Sequence, residues 1–238
     1  MEEKRRKFVS DASHELKTPM AGIKLICDSL VAAENPDPAM VKEFLGDMSD
    51  EVDRLTRIVE RLLVLTKLDA GGNSLKLEEV DIKMLISQVV KKLTPIANAK
   101  DIVIYVDNHQ TEFSPILLDY DKMYEAIYNI ADNAIKYSPE GCFVHIDLTA
   151  YNDYLTIKIE DNGPVIPEDE RDRIFERFYR LDDSRARDTG GTGLGLAITK
   201  EAVLMHNGTI DVANVSDIGS VFTIRLPYKI TIGGQNEK

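Results

Sequence analysis

The hydrophobic pattern of residues 1–72 predicts two amphipathic helices. Apolar side chains recur at alternating spacings of three and four within residues 16–30 and 41–62, which is the pattern of a heptad seam. The breaker residues Asn35 to Pro38 predict a loop between them, and therefore a helical hairpin. Two narrow seams cannot enclose a core, so we expect two chains to form a homodimeric four-helix bundle. The alternative is a hairpin that packs on the rest of its own chain.

The glycine-rich segment Gly71–Ser74 predicts a hinge-like link, after which the pattern changes. The remaining chain mixes helical periodicity with alternating strand patterns, which predicts an α+β sandwich with mostly antiparallel strands. We expect domain boundaries at 1–72 for the hairpin, 73–80 for a linker, 81–228 for the sandwich and 229–238 for a tail. The predicted elements are helices at 81–97, 119–137 and up to about His206, and strands at 102–106, 143–149, 154–160, 209–213 and 220–226.

Composition narrows the classes of function. The formal net charge of -12 argues against a general nucleic-acid binder, because phosphate backbones need a basic face. Cys27 and Cys142 have no metal-binding or paired spacing, so we expect reduced cysteines in an intracellular protein. No apolar run is long enough to span a bilayer, and the charged run Glu2 to Lys7 is unlike a signal peptide. Such an abrupt start is typical of a portion of a longer protein.

His14 is the first candidate for covalent chemistry. Two helical steps rotate a side chain by about 200°, so His14 points away from the seam that contains Leu16. A solitary histidine is usually a surface or capping residue, and that explanation stays open here. Glu15 does not face the adjacent His14 squarely on a helix, but by choice of rotamer it can reach an imidazole on a neighbouring turn or hold the ring N–H of His14. A carboxylate in that role makes the other ring nitrogen more nucleophilic. Thr18 is placed to position a water, and Pro19 predicts a bend that exposes the histidine.

Three further segments carry candidates for a nucleotide site. Asn129, Asn133, Lys136 and Tyr137 share one face of the helix predicted at 119–137, although surface helices carry such residues routinely. Asp161-Asn162-Gly163 follows a strand and normally means a hairpin turn, but the prolines after it cannot continue a ladder. A glycine-rich run before the last helix would let backbone N–H groups approach a phosphate, or is simply a flexible loop. It comprises Gly191, Thr192, Gly193, Leu194, Gly195 and Leu196.

Taken together in this order, the segments resemble the sensor histidine kinases of two-component signalling over nearly the whole chain. Residues 13–19 are similar to the family's H box, residues 129–137 to the N box and residues 161–163 to the first glycine box. Residues 173–178 are similar to the F box and residues 191–196 to the second glycine box. The resemblance implies a dimeric helical hairpin followed by an ATP-binding α+β sandwich of the Bergerat type.

The resemblance also implies roles for individual residues. His14 is then the phospho-acceptor, Glu15 its acid/base partner, and Thr18 positions water in dephosphorylation of the partner. Asn133 binds Mg²⁺ and Asp161 recognises the adenine amine. Contacts with ATP are implied for Asn129, Asn133, Lys136, Tyr137, Asp161, Gly163, Ile166, Arg180, Gly191, Thr192, Gly193, Leu194, Gly195 and Leu196. Residues 163–191 correspond to the mobile ATP lid, which Phe175 and Phe178 anchor and from which Arg177 or Arg180 reaches the phosphates.

The implied reaction is ATP-dependent phosphorylation of His14, with Mg²⁺, followed by transfer to an aspartate of a response-regulator receiver domain. The full protein is then expected to be a membrane-anchored sensor, of which this chain is the cytoplasmic portion. One position departs from the family: Val165 stands where a second glycine is usual, and a β-branched residue disfavours positive φ. Two alternatives stay open: an ATP-hydrolysing clamp, and an ATP-binding dimeric signalling scaffold or a protein that acts mainly as a phosphatase.

Overall fold

The computed structural model describes residues 2–33, 35–69, 75–109, 113–151, 153–181, 191–215 and 218–228. These residues fall into two compact units. The first contains the hairpin and residues 191–194, and the second contains the described residues of 75–181 and 195–228. The predicted hinge and the whole of the predicted tail lie outside the described residues. The domain boundaries expected at residues 72, 80 and 228 therefore stay a prediction.

The first unit contains two long helices, α1 (Glu2–Ala32) and α2 (Pro38–Asp69). Asp37 caps α2, because its carboxylate accepts a hydrogen bond of 3.0 Å from the Ala39 N–H, and Pro38 occupies the first helical position, where proline is favoured. Helix α1 continues through Pro19, which is buried. No helix among the described residues combines the length and apolar character that a membrane span requires.

One apolar row of the hairpin is exposed in the part of the chain that the structure describes. On α2, Leu45, Val52 and Val59 recur every seventh residue and are 55%, 49% and 44% exposed. On α1, Met20 is 59% exposed. Burial of such side chains contributes about 1.5–3 kcal/mol each, so this row favours the predicted bundle of two chains over a hairpin packed on its own chain.

The second unit is built on a five-stranded sheet with the strand order β2-β4-β5-β7-β6. Strands β2 and β4 are parallel, and all other neighbours in this sheet are antiparallel. A separate antiparallel pair joins β1 to β3. The strands are β1 (Leu77–Val80), β2 (Val103–Asn108), β3 (Ile116–Asp119), β4 (Phe143–Ala150), β5 (Tyr154–Asp161), β6 (Thr209–Asn214) and β7 (Ser220–Pro227).

Three helices provide the other layer of the second unit: α3 (Ile82–Asn98), α4 (Tyr120–Tyr137) and α5 (Gly195–Met205). Alternate residues of the strands face these helices, as period-two patterning requires. On β4, Val144, Ile146 and Leu148 are buried in a core that includes Ile127 and Ile130 of α4. The sandwich predicted from sequence is therefore confirmed.

Two short strands differ from the sequence expectations. Strand β1 occupies residues 77–80, within the segment predicted to be a linker, and β3 was not predicted. The two pair with each other in the register Leu77 with Asp119 to Val80 with Ile116. Strands of four residues carry almost no periodic signal of their own, so long-range pairing decides their conformation.

Candidate functional site

Helix α4 carries four of the predicted ATP contacts, Asn129, Asn133, Lys136 and Tyr137. Its N-cap is Asp119, whose carboxylate accepts a hydrogen bond of 3.2 Å from the Lys122 N–H. Asn133 is half-buried, and Tyr137 is 44% exposed in the last turn. The ammonium of Lys136 lies 2.6 Å from the Asp132 carboxylate, one turn earlier on the helix. Lys136 therefore has an acidic neighbour with which a phosphate would compete.

Asn129 connects α4 to the start of α5. Its side chain is buried, and its amide donates a hydrogen bond of 3.5 Å to the Gly195 carbonyl. A Cβ at Gly195 would lie 3.4 Å from Asn129 Oδ1, which is van der Waals contact. Nearby, the Thr199 hydroxyl donates to the Ala126 carbonyl at 3.3 Å. The predicted N box and second glycine box thus meet at Asn129 and Gly195.

Asp161 ends strand β5 in a buried, polar setting. Its side chain is only 7% exposed, and one carboxylate oxygen accepts a hydrogen bond of 2.9 Å from the Gly163 N–H. The other oxygen accepts a hydrogen bond of 2.6 Å from the Ser220 hydroxyl. Burial raises the pKa of Asp161, and these hydrogen bonds oppose the rise. Such a carboxylate is fixed in orientation and keeps lone pairs for a ligand donor.

Gly163 is required by close packing against the end of α4. A Cβ at this position would lie 2.6 Å from Ser138 Oγ and 3.1 Å from Ser138 Cα. The Gly163 carbonyl accepts a hydrogen bond of 2.8 Å from Gly219, whose φ is +87°. Because any side chain at Gly219 would collide with the Asp161 carbonyl, glycine is needed there too.

Ile166 is held by a reciprocal pair of hydrogen bonds. Its N–H donates to Asn214 Oδ1 at 3.1 Å, and its carbonyl accepts from Asn214 Nδ2 at 3.0 Å. One side-chain amide thus pairs with both backbone groups of one residue, as a neighbouring strand would. Ile166 itself is buried, close in sequence to Asp161.

The segment after Ile166 is anchored to the sheet by aromatic packing. The Phe175 ring packs edge-to-face on Phe222 with centroids 6.3 Å apart, and the Lys200 ammonium lies 5.1 Å from the Phe175 centroid. Phe178 adopts a φ of +62°, and Arg180 is half-buried. Residues 182–190 of the predicted lid lie outside the described residues.

A small polar cluster supports the same segment. Arg173 donates two hydrogen bonds of 3.0 Å to the Glu170 carboxylate, and its guanidinium lies 4.5 Å from the Tyr179 ring centroid. The Tyr179 hydroxyl donates to Glu170, and this hydrogen bond raises the pKa of Tyr179. The cluster fixes the base of the predicted lid before the segment that is not described.

The glycine-rich residues 191–194 group with the hairpin in the first compact unit. Thr192 is buried there, and its hydroxyl accepts a hydrogen bond of 2.7 Å from the Arg61 guanidinium. Gly193 has a φ of +66°, a conformation that suits glycine. Leu194 is buried, and Leu196 in the first turn of α5 is half-buried.

His14 is exposed on α1, as its offset from the seam predicts. The Thr18 hydroxyl donates a hydrogen bond of 3.3 Å to the His14 carbonyl, one turn earlier. Its hydroxyl hydrogen is therefore engaged with the backbone, and only its oxygen lone pairs remain for a water. Glu15 is half-buried beside it.

Two polar residues of this site were not found from the sequence. Ser220 and Asn214 hold Asp161 and Ile166, but both lie more than forty residues from their partners along the chain. Serine and asparagine are common in strands and turns, so neither carries a local signal. The only available clue was the glycine before Ser220, which here has the left-handed φ.

The donor chemistry fits a magnesium ion that arrives with a phosphate ligand. Among the described residues, no group of three His, Cys, Asp or Glu side chains could hold a metal ion. Mg²⁺ usually keeps several waters and takes one or two protein oxygens together with substrate phosphates. The amide oxygen of Asn133 is such a group, on the same helix as Asn129.

Two family models match the chain in the order of its two predicted domains. The His Kinase A (phospho-acceptor) domain matches residues 4–71, and the histidine kinase-, DNA gyrase B- and HSP90-like ATPase matches residues 118–230. The first model covers the helical hairpin, and the second covers the sandwich from the end of β3 onward. The chain belongs to the sensor histidine kinases. As a histidine kinase chain, it carries a phospho-acceptor domain and an ATPase-type domain together.

Curated relatives agree with this membership. Sensor protein kinase WalK of Staphylococcus saprophyticus is 37% identical over 236 residues, which cover 98% of this chain and 38% of WalK. Sensor-like histidine kinase SenX3 of Mycolicibacterium smegmatis is 37% identical over 227 residues, which cover 95% of this chain and 58% of SenX3. The histidine kinase chain thus spans less than two thirds of the length of either relative.

A solved structure has the same fold. Full-length ShkA, in complex with AMPPNP, matches with a TM-score of 0.71 and 27% identity, over 94% of this chain and 46% of ShkA. The histidine kinase fold of this chain therefore extends over both of its units. AMPPNP in that structure is a non-hydrolysable stand-in for ATP.

Proposed function

We propose that this chain binds ATP in its second unit, phosphorylates itself on His14, and passes the phosphoryl group to an aspartate of a response-regulator receiver domain. The observation that carries the proposal is the buried carboxylate of Asp161, fixed by the Gly163 N–H and the Ser220 hydroxyl beside the end of α4. This arrangement leaves an acceptor for an exocyclic amine, which is what recognition of adenine requires.

We assign the phosphate end of the nucleotide to α4 and to the N-terminal end of α5, both of which belong to the second unit. Lys136 is the cation offered to a phosphate, and its contact with Asp132 holds it until the ligand arrives. Backbone N–H groups in the first turn of α5, which begins at Gly195, are the anion donors. Magnesium, held by Asn133 and the phosphates, would neutralise the charge that develops on the transferred group.

His14 is the proposed nucleophile because it is exposed and matches the phospho-acceptor position. One ring nitrogen attacks the γ-phosphorus of ATP, and the bond to the bridging oxygen breaks, so ADP leaves. Glu15 accepts the proton that the other ring nitrogen sheds. Thr18 keeps its proposed role in positioning water for phosphatase activity through the oxygen lone pairs that its bond to the His14 carbonyl leaves available.

The proposed partners follow from the same surface. The exposed row of Leu45, Val52 and Val59 on α2 supports a homodimer, in which a second hairpin completes the bundle. The response regulator is proposed to dock on that bundle near His14. Attachment of the full protein to a membrane is proposed to lie in segments outside this chain.

The test is incubation with γ-labelled ATP and Mg²⁺, followed by acid and alkali treatment of the labelled protein. Wild type should gain label that acid removes and alkali does not, and His14→Gln should gain none. His109→Gln is the matched control, because His109 is an exposed histidine of the second unit. Equal labelling of wild type and His14→Gln would refute the assignment of His14. AMPPNP binding without any label would favour a scaffold, and steady ADP release without label would favour an ATP-hydrolysing clamp.

A further inference from the structure

The C-terminal end of α4 is closed by a side chain from outside the helix. The last carbonyls of any α-helix have no partner within it. Here the Ser138 N–H bonds to the Ala134 carbonyl at 3.2 Å, and the chain then turns into an extended conformation at Ser138. The residue after Ser138 is Pro139 and not the glycine that usually forms a left-handed cap. The carbonyls of Ile135 and Lys136 therefore need another donor.

Lys100 supplies that donor three times. Its ammonium donates hydrogen bonds of 2.8 Å to the Ile135 carbonyl, 2.9 Å to the Lys136 carbonyl and 3.0 Å to the Ser138 carbonyl. An ammonium has three N–H donors, so these contacts engage all of them. A positive charge at this end of a helix also opposes the negative end of the helix dipole.

The backbone of Lys100 is itself held in place. It lies in the tight turn between α3 and β2, where its N–H bonds to the Ala97 carbonyl at 3.0 Å. Asp101 follows with a φ of +54°, and the Ile102 N–H also bonds to the Ala97 carbonyl, at 2.9 Å. The ammonium therefore extends from a fixed point in a different part of the unit, and it ties that point to α4.

The residues at this end of α4 are those assigned to the nucleotide. Lys136 and Tyr137 are proposed contacts, and Ser138 packs against Gly163 so closely that no Cβ fits between them. Gly163 in turn donates to the Asp161 carboxylate at 2.9 Å. A shift of Ser138 would therefore move Lys136 and Tyr137 on the proposed phosphate side, and Gly163 with Asp161 on the proposed adenine side.

We propose that Lys100 is a positioning residue for nucleotide binding, which sets the last turn of α4 and its contact with Gly163 through three carbonyl oxygens. The inference rests on the proposed ATP site and adds a residue from outside that site. Lys100 does not touch the nucleotide in this arrangement. Its loss raises the KM for ATP and leaves kcat at saturating ATP nearly unchanged, because it weakens ground-state and transition-state binding alike.

The experiment compares Lys100→Met, Lys100→Arg and Lys91→Met in the full chain. Methionine keeps an unbranched stem without donors, arginine keeps the charge, and Lys91 is an exposed lysine of α3 that serves as the matched control. AMPPNP affinity is measured by calorimetry at a temperature where circular dichroism shows every variant folded. Hydrogen exchange of the amides in residues 134–138 is measured without nucleotide.

Lys100→Met should weaken AMPPNP binding about tenfold, which is the effect if the displaced last turn of α4 costs the ligand roughly one hydrogen bond to a charged group. The amides of residues 134–138 should exchange faster in Lys100→Met than in wild type. Lys100→Arg should have an AMPPNP affinity and exchange rates between those of Lys100→Met and wild type, and Lys91→Met should match wild type in both. Unchanged AMPPNP affinity and KM in Lys100→Met, with only a lower melting temperature, would overturn the inference. If Lys100→Met does not fold, wild-type AMPPNP affinity and wild-type exchange of residues 134–138 in Lys100→Arg would overturn the inference. Absence of AMPPNP binding by wild type would instead reject the proposed ATP site.

Discussion

Replacing Asp161 by asparagine should separate nucleotide affinity from stability. The carboxylate accepts hydrogen bonds from Gly163 and Ser220, and asparagine can keep both contacts by accepting from the Gly163 N–H and donating to the Ser220 oxygen. What it cannot keep is the charge offered to the adenine amine. A hydrogen bond to a charged group is worth about 1.5–3 kcal/mol, so we expect ATP and ADP affinity to fall about 10- to 150-fold.

The same substitution should not destabilise the nucleotide-free protein at neutral pH. Burial raises the pKa of Asp161 above its ordinary 3.8, so the folded state binds a proton more readily than the unfolded state. Stability is therefore lost as pH rises from about 3.8 through the raised pKa, and the charged form is the less stable one at pH 7. Asparagine has no charge to bury, so its melting temperature at pH 7 should equal or exceed that of wild type.

Calorimetry with ADP and thermal melts from pH 4 to pH 8 would test both halves of this prediction. Asp121→Asn is the matched control, because Asp121 is an exposed acid in the first turn of α4. Its loss should leave affinity unchanged and lower stability slightly, since acids favour helix N-termini. The reasoning would be refuted by wild-type affinity in Asp161→Asn, or by a fall in its melting temperature at pH 7 larger than that of the control.

Three further substitutions test other parts of the second unit. Gly163→Ala should lower the free energy of unfolding in a urea melt by about 1–3 kcal/mol and weaken AMPPNP binding, because the new Cβ would collide with Ser138. Wild-type stability and wild-type affinity would contradict this packing argument. Asn214→Asp should weaken AMPPNP binding, because a carboxylate oxygen then faces the Ile166 carbonyl in place of the Nδ2 donor, at a cost of about 1–3 kcal/mol. AMPPNP affinity equal to that of wild type would refute this. Burial lowers the pKa of His206, whose Nε2 accepts from the Asp119 N–H at 2.9 Å, so stability should be full above pH 6.5 and fall as pH drops from 6.5 through the lowered pKa. His206→Gln should flatten this acid limb in melts at pH 5 to 8, and an unchanged pH profile would exclude His206 as its cause.

The helices and the longer strands could be predicted from sequence because their signal is local. The pattern at 119–137 predicts a helix that the structure has at Tyr120–Tyr137, and the alternation at 154–160 predicts the strand Tyr154–Asp161. Strands β1 and β3 escaped prediction because each has four residues and gains its conformation from a partner about forty residues away. Local periodicity cannot report such a pairing.

In the candidate site, too, the residues within local motifs could be predicted from sequence and the residues that contact them from elsewhere in the fold could not. Asp161, Gly163 and the residues of α4 were recognisable because each lies within a short motif. The groups that fix them were not, since Ser220, Asn214 and Lys100 contact their partners only after the sheet and helices have assembled. A motif names the residues offered to a ligand, while their orientation depends on side chains from elsewhere in the fold. The roles given to the motif residues themselves stay predictions.

At Val165, contacts from elsewhere in the fold affect what a departure from the family motif implies for the backbone. The family usually has a glycine there, which would permit positive φ at the root of the lid. Among the described non-glycine residues, positive φ occurs at Asp101, Phe178 and Asn207, so the backbone at Val165 is one that a β-branched residue tolerates. The next residue, Ile166, is tied through both its backbone groups to Asn214. A stiff residue and two hydrogen bonds restrict the backbone at the same place, so we predict that motion of the predicted lid begins after Ile166.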